Sequence, residues 1–176
     1  MVQFSGSTID LTPLKGMKLT SLNLHDGPQV DDLTPLKGMP LTLLRVASEK
    51  VRDLTPLQGM PLTELSLAHC RQVQDISPLK GLKLTVLLLE DTQVRDLEPL
   101  KDMPLKKLYI DAPGVTDVTP LQALQLEDIR LTPKNITQGL EILRDMKSLK
   151  TIGLGHYQAW PAAEFWARYD KGEFKK

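Results

Sequence analysis

The chain carries a single cysteine, Cys70, among 176 residues. No internal disulfide framework can form, and no cysteine-based zinc pattern exists. Charge of one sign is missing too: 22 Lys+Arg stand against 22 Asp+Glu. A nucleic-acid or anionic-lipid binder is expected to show a basic stripe, so neither partner class is indicated. No apolar run approaches the length needed to span a membrane. The start, Met-Val-Gln-Phe-Ser-Gly, has neither a charged head nor an apolar stretch and does not read as a signal peptide. One free thiol and no leader lean the reading toward a reducing, cytoplasmic setting. Aromatics are scarce for most of the chain: Phe4 and Tyr109 are the only two before residue 156. A core here has to be built from leucine and valine.

What is present is a repeat. Asp32-Leu-Thr-Pro-Leu-Lys-Gly-Met39 returns with small edits from Asp10, Asp53, Asp75, Asp96 and Asp117, at steps of 22, 21, 22, 21 and 21 residues. A fixed period in this range is the signature of a solenoid. After each copy comes Leu-x-x-Leu-x-Leu, as in Leu41/Leu44/Val46, Leu84/Leu87/Leu89 and Leu105/Leu108/Ile110, with a last copy at Leu149/Ile152/Leu154. Its final two apolar positions alternate with variable ones, which is the period of a short half-buried strand. Inward residues of one strand are covered only by neighbouring coils, so the strands must stack side by side in one parallel sheet. The Asp-Leu-Thr-Pro-Leu segment is the return path that parallel strands require.

That path is too short for a full helix. The Asp carboxylate can accept a backbone N–H two residues on. The following Pro has no N–H to orphan and a φ preset for a tight turn. One 3₁₀ or short α turn per repeat is expected. Gly16, Gly38, Gly59 and Gly81 permit the exit bend, but Asp102 and Ala123 stand in their place later, so positive φ cannot be obligatory in those coils.

Leu-x-x-Leu-x-Leu followed by x-Val-x-Asp-Leu-x-Pro-Leu resembles the short, roughly 22-residue class of leucine-rich repeat found in internalin-like bacterial proteins. The resemblance spans residues 2–155. It implies an α/β fold: a right-handed solenoid with a parallel concave sheet of about 7–8 strands, 3₁₀ or short α turns on the convex side, and a C-terminal helical cap. The family's inward Asn or Cys falls on Cys70 and otherwise on Gly27, Glu49, Thr92, Pro113 and Lys134, so its asparagine ladder is absent.

The two ends differ from the middle. Phe4 to Asp10 aligns with Leu89 to Asp96, so the array starts inside a repeat. Its uncapped strand at Val2–Phe4 is expected to be sticky and to pair edge to edge with a second chain. At the other end, Leu140, Leu143 and Met146 fall at helical spacing after Thr137, a candidate N-cap. Six aromatics then crowd beyond residue 156: Tyr157, Trp160, Phe165, Trp166, Tyr169 and Phe174. Pro161 suits a first helical position and Gly172 a stop. The expected division is a repeat array over 1–155 and an aromatic capping helix with tail over 156–176. Met146 to Gly153 and Trp160 to Phe174 also resemble the C-terminal ends of repeat regions in large bacterial serine/threonine kinases of the planctomycete kind. No Gly-rich loop, catalytic Asp segment or Asp-Phe-Gly is present, so no kinase residue carries over.

Catalysis finds no foothold. A nucleophile–base pair needs Ser, Cys or Thr near His with an orienting acid. His25 follows its strand by one residue and His69 by two, so the two are expected to point apart. Cys70, at an inward loop position, reads as a packed thiol. No enzyme, cofactor or metal site is expected. The outward strand positions are the better candidate. They form rows across the sheet, and Leu43, Val86, Leu88 and Tyr109 are apolar there, flanked by Arg45 and Arg130. Lys107 sits beside Asp128, and Glu90 beside Asp111 as like-charged neighbours. These ten positions are the expected contact surface for a protein or peptide, with Tyr and Arg as anchors. The alternatives are a regulatory or docking segment of a larger kinase and a purely structural array.

Overall fold

The computed structural model describes residues 8–27, 29–155 and 158–174. The seven parallel strands are β1 (Ser21–Leu24), β2 (Leu43–Val46), β3 (Glu64–Ser66), β4 (Val86–Leu88), β5 (Lys107–Tyr109), β6 (Asp128–Arg130) and β7 (Thr151–Leu154). They pair strictly in chain order, each with the next. The return paths are single 3₁₀ turns such as Thr34–Leu36, Thr55–Leu57 and Ser77–Leu79. The chain folds as a leucine-rich-repeat solenoid. The N-terminal strand expected at Val2–Phe4 lies outside the described residues.

Each turn is built as its residue types dictate. All six repeat aspartates accept the backbone N–H two residues on: Thr12, Thr34, Thr55, Ser77, Glu98 and Thr119 donate at 2.7–2.8 Å. The carboxylate thereby holds the chain as it enters the turn. The exit bend has two forms. Where glycine is present, the preceding residue is extended, as at Lys37 (ψ 126°), and Gly38 takes φ 73°. That is a type II turn, which requires positive φ at its third residue. Where Asp102 replaces glycine, Lys101 adopts φ −47°, ψ −39° instead, and the bend becomes type I. The hydrogen bond that closes it persists, with Met103 N–H donating to the Leu100 carbonyl at 3.0 Å.

The core is a column of leucine. Leu44, Leu65, Leu87, Leu108 and Ile129 point inward from successive strands at 0–1% exposure, and Leu36, Leu57, Leu79, Leu100 and Leu121 meet them from the turns. Full burial of each such side chain contributes about 1.5–3 kcal/mol. The loop hydrogen bonds that an asparagine ladder would make are met piecemeal. Ser48, 1% exposed, bonds both the N–H and the carbonyl of Val30, and the Thr92 hydroxyl donates to the Leu89 carbonyl. The inward position of that coil is therefore Ser48, not Glu49, and in the fifth coil it is the buried Ala112, not Pro113. The loops of Ser48 and Thr92 both span five positions, Val46 to Val51 and Leu89 to Val94, yet the buried hydroxyl is the second residue after Val46 in one and the third after Leu89 in the other.

A second ladder runs where the chain enters the sheet. Thr42, Thr63 and Thr85 each donate a hydroxyl to the carbonyl of the preceding coil, at 3.0–3.2 Å. From Lys106 onward the hydroxyls give way to charge, with Glu127 between Lys106 and Lys150.

The C-terminal segment departs from the expectation of a helix and tail alone. Gln158–Pro161 forms β8, antiparallel to β7, so the sheet is not parallel throughout. Helix α1 (Leu140–Asp145) starts from Gly139 at φ 83°. Thr137 is not its cap: its backbone N–H and hydroxyl are both spent on the Thr116 carbonyl. Helix α2 (Ala162–Asp170) follows β8 and packs on β7 and β8. Phe165 is wholly buried, stacked on Phe174 and edge-on to Trp166. Gly172 (φ 86°) ends the helix, its N–H bonding the Tyr169 carbonyl while Glu173 N–H bonds that of Arg168. This is the paired-bond left-handed stop that glycine favours.

Candidate functional site: the outward face of the sheet

The register aligns the outward residues in two rows. One runs Ser21, Leu43, Glu64, Val86, Lys107, Asp128, Thr151; the other runs Asn23, Arg45, Ser66, Leu88, Tyr109, Arg130, Gly153. Seven strands at about 4.8 Å spacing make a strip roughly 30 Å long. The ten expected residues share this face, but they do not share one state. Arg45 is exposed; Leu43, Val86, Leu88, Lys107, Tyr109, Asp111, Asp128 and Arg130 are half-buried; Glu90 is only 3% exposed. The expectation of an exposed Glu90 beside Asp111 is therefore corrected: Glu90 has sunk into the face.

Toward β5–β7 the face is closed on itself. The Tyr109 ring lies 4.2 Å below the Arg130 guanidinium, with Lys107 Nζ 5.6 Å from its centre. Its hydroxyl donates to Asp128 Oδ2 at 2.8 Å, and Lys107 Nζ stands 3.6 Å from the same oxygen. Burial, then the bond to Asp128 and that carboxylate's charge, push the phenol up to about 12, against the opposing pull of Arg130. Asp111 accepts from the Thr132 hydroxyl. Gly153 makes room for this stack: a Cβ there would meet Arg130 Cγ at 2.9 Å and the Gln158 carbonyl at 2.8 Å. Tyr109 and Arg130, the two expected anchors, are thus held by each other and by their neighbours.

Toward β1–β4 the face is open. A cleft of about 350 Å³ lies between Asn23, His25 and Arg45 on one side and His69, Leu88 and Glu90 on the other. The expectation that His25 and His69 point apart does not hold. Their ring centres are 5.9 Å apart although two coils separate them. His69 has φ 67°, a left-handed backbone that turns its ring onto the face, where Nδ1 lies 2.7 Å from Asp91 Oδ2. Asp91, φ 57°, is the only other non-glycine residue with positive φ among those described. A signal for this pairing was in the spacing. Both 22-residue steps, Asp10 to Asp32 and Asp53 to Asp75, carry their extra residue in the loop after the strand: Leu24 to Val30 and Leu67 to Val73 each span six positions, against five in the other coils. His25 and His69 ride on those two longer loops.

Cys70, next to His69, points the other way. It is buried, its Sγ 3.5 Å from the Val46 carbonyl, and burial pushes its thiol up to about 11. A thiol so held is a packing group rather than a nucleophile. Among the described residues no group of three His, Cys, Asp or Glu is placed to hold a metal ion, and no helix is long and apolar enough to cross a membrane.

No family model matches the chain, and no curated protein matches it. Among solved structures, an internalin (inlF) from Listeria monocytogenes str. 4b F2365 is similar at 25% identity with a TM-score of 0.45, over 82% of this chain and 57% of that one. The chain spans little more than half that internalin's length. The fold assignment rests on the chain's own repeat and strand register. The kinase-like resemblance of residues 146–174 has no support beyond its residues.

Proposed function

We propose that this solenoid is a non-catalytic protein-binding module that receives an extended peptide or a protein edge on the outward face of β1–β5. The supporting observation is the contrast across the strand. Inward positions stay aliphatic in every coil, Leu, Ile or Val, whereas the outward row Asn23–Arg45–Ser66–Leu88–Tyr109 changes chemistry at each step while staying in register. Nothing in the stacking of coils demands that variety. A half-buried Leu88 between the cleft and the Tyr109 stack supplies an apolar centre with polar surroundings, the make-up of an interface core and rim.

The test is a display selection of random peptides on the folded protein. Binders should lose at least tenfold in affinity against the Leu88→Asp, Tyr109→Ala double variant. Undiminished affinity would place binding elsewhere. The division into a repeat array and a capping segment from residue 156 belongs to the same reading. It is supported by the wholly buried Phe165 and by β8 occupying the edge of β7.

A further inference from the structure

We infer that two copies of this chain pair turn side to turn side, the lysine-rich edge of each solenoid lying against the acidic edge of the other. The surface is separate from the outward face of the sheet, so the pairing is independent of the binding role proposed there.

The 22 bases and 22 acids balance over the chain but not across it. The five stretches between a 3₁₀ turn and the next strand are 15–20, 37–42, 58–63, 80–85 and 101–106. They hold seven lysines and one acid, Asp102. The five stretches from a strand to the next turn aspartate are 25–32, 47–53, 67–75, 89–96 and 110–117. Leaving aside the buried Glu90, they hold ten acids and four bases. Each coil passes through these stretches at opposite ends of its strand, so one edge is six charges positive and the other six negative. A strand of three or four residues at about 3.3 Å each keeps the edges at least about 10 Å apart. That equals the Debye length of about 10 Å at 0.1 M salt, so a partner at one edge meets that edge's sign.

The charges are not spent internally. Among the described residues Lys15, Lys18, Lys37, Lys80, Lys83 and Lys101 make no ion pair, and neither do Asp26 and Asp31. All eight are exposed. The lysine-rich stretches carry no aromatic residue, so they lack the stacking platform on which single-stranded nucleic acid is held.

Symmetry selects the arrangement. A closed pair of identical chains has a two-fold axis. An axis at right angles to the stack of coils brings like edges together or none, and so does any side-by-side pairing about an axis along it. With the axis along the stack and broad side on broad side, each basic edge meets an acidic one, coil against the same coil. The charges fit coil for coil. Six of the seven lysines directly precede β1, β4 and β5. The loops after those same strands hold all the net negative charge, while the loops after β2 and β3 are each neutral. Of the two broad sides, the turns are the one that can be covered. Their five Thr/Ser/Glu-Pro-Leu segments from Thr12 to Leu100 carry a single charge, Glu98. The sheet face carries Arg45, Glu64, Lys107, Asp128 and Arg130. Turn-to-turn pairing leaves both sheet faces in solvent.

Sedimentation equilibrium of the full chain tests this. In 20 mM NaCl it should show a monomer–dimer equilibrium with a submillimolar dissociation constant, weakened at least tenfold in 0.5 M NaCl. Lys15→Glu with Lys18→Glu should abolish the dimer, and so should Asp26→Lys with Asp31→Lys. An equimolar mixture of the two double variants should restore it, because edges reversed in opposite senses then meet at the same coil. Misfolded variants could not be rescued in this way. Lys80→Glu with Lys83→Glu, mixed with the aspartate variant, should dimerise at least fivefold more weakly, since its reversed charges lie three coils away. A monomer at 0.5 mM protein in 20 mM NaCl overturns the inference. A dimer indifferent to salt, no rescue by the first mixture, or equal rescue by the second does the same. Tighter binding of a 12-base-pair DNA duplex or of oligoglutamate at the same salt, lost in Lys15→Glu with Lys18→Glu, would give the lysine edge to that partner instead. None of these outcomes bears on peptide capture at Leu88 and Tyr109, which the display selection reads separately.

Discussion

The turn side of the solenoid and the face of its sheet obey different rules. On the turn side the same Asp–x–x–Pro–Leu solution appears six times, and in all six the Asp carboxylate holds the N–H two residues on. On the face no outward row repeats a residue type for more than two adjacent strands. Residues that repeat carry the backbone; residues that vary are released from it. The face is itself divided, because Gly153 leaves room for Arg130 over Tyr109 while the two longer loops bring His25 and His69 together at a cleft.

The sharpest way to break this contrast is within one strand. Leu87 and Leu88 are neighbours in β4, one wholly buried and one half-exposed. Leu87→Ala should destabilise the chain by about 2–5 kcal/mol, the cost of a leucine-sized cavity. Leu88→Ala should cost under about 1 kcal/mol. Urea denaturation of both variants checks this, and similar losses would mean that the face is structural rather than free.

The turn side makes a finer distinction. Gly38→Ala forces a Cβ into φ 73°, although nothing lies within 4 Å of it. If the coil keeps its type II bend, the loss is about 1 kcal/mol. If it switches to the type I bend already present at Lys101–Asp102, the loss is smaller, and Asp102→Gly should be correspondingly neutral. Thermal melts of the two variants decide whether the glycines enforce the bend or merely permit it. Removing the aspartate should cost a comparable amount: Asp75→Ala loses the bonds to the Ser77 N–H and hydroxyl, about 1 kcal/mol by analogy with helix caps.

How much of this was legible in the sequence follows from the same contrast. The parallel order, the turns and the inward column could be read from Asp32-Leu-Thr-Pro-Leu and Leu41/Leu44/Val46, because a solenoid makes local pattern and long-range packing the same thing. The outward rows were legible for that reason too. The state of each outward residue was not. Glu90 sinks and Tyr109 is overlaid through side-chain contacts between coils, and strand period carries no information about those. The approach of His25 to His69 depends on a left-handed backbone at His69, which a histidine tolerates but does not announce. Strand β8 was hidden because Gln158–Pro161 follows no repeat and ends in proline, which an edge strand can accept.

The smallest expected effect separates the two sides by the origin of their electrostatics. Hydrogen bonds to Ser77, backbone first and hydroxyl second, hold the Asp75 carboxyl below the usual aspartate range, and bonds from Thr55 do the same for Asp53. Glu127, at the edge where the chain enters the sheet, is also held low, but by its hydrogen bond and ion pair with Lys150, with Lys106 assisting. A carboxyl lowered in the folded state contributes stability that is present above its unfolded pKa, about 3.9 for Asp and 4.3 for Glu. That contribution is lost as pH falls through the folded value, so all three steepen the acid limb of the stability curve below about pH 4. Salt tells them apart. The Debye length falls from about 10 Å at 0.1 M to about 3 Å at 1 M. The Lys150–Glu127 share should therefore fade in salt, whereas the short bonds of Asp53 and Asp75 persist. Asp75→Asn, which keeps an acceptor oxygen but cannot titrate, should flatten the acid limb equally at both ionic strengths. Glu127→Gln should flatten it at low salt only. If high salt erases the Asp75 effect as well, the turn aspartates act as charges rather than as hydrogen-bonded caps, and the distinction between the two sides of the solenoid narrows to packing alone.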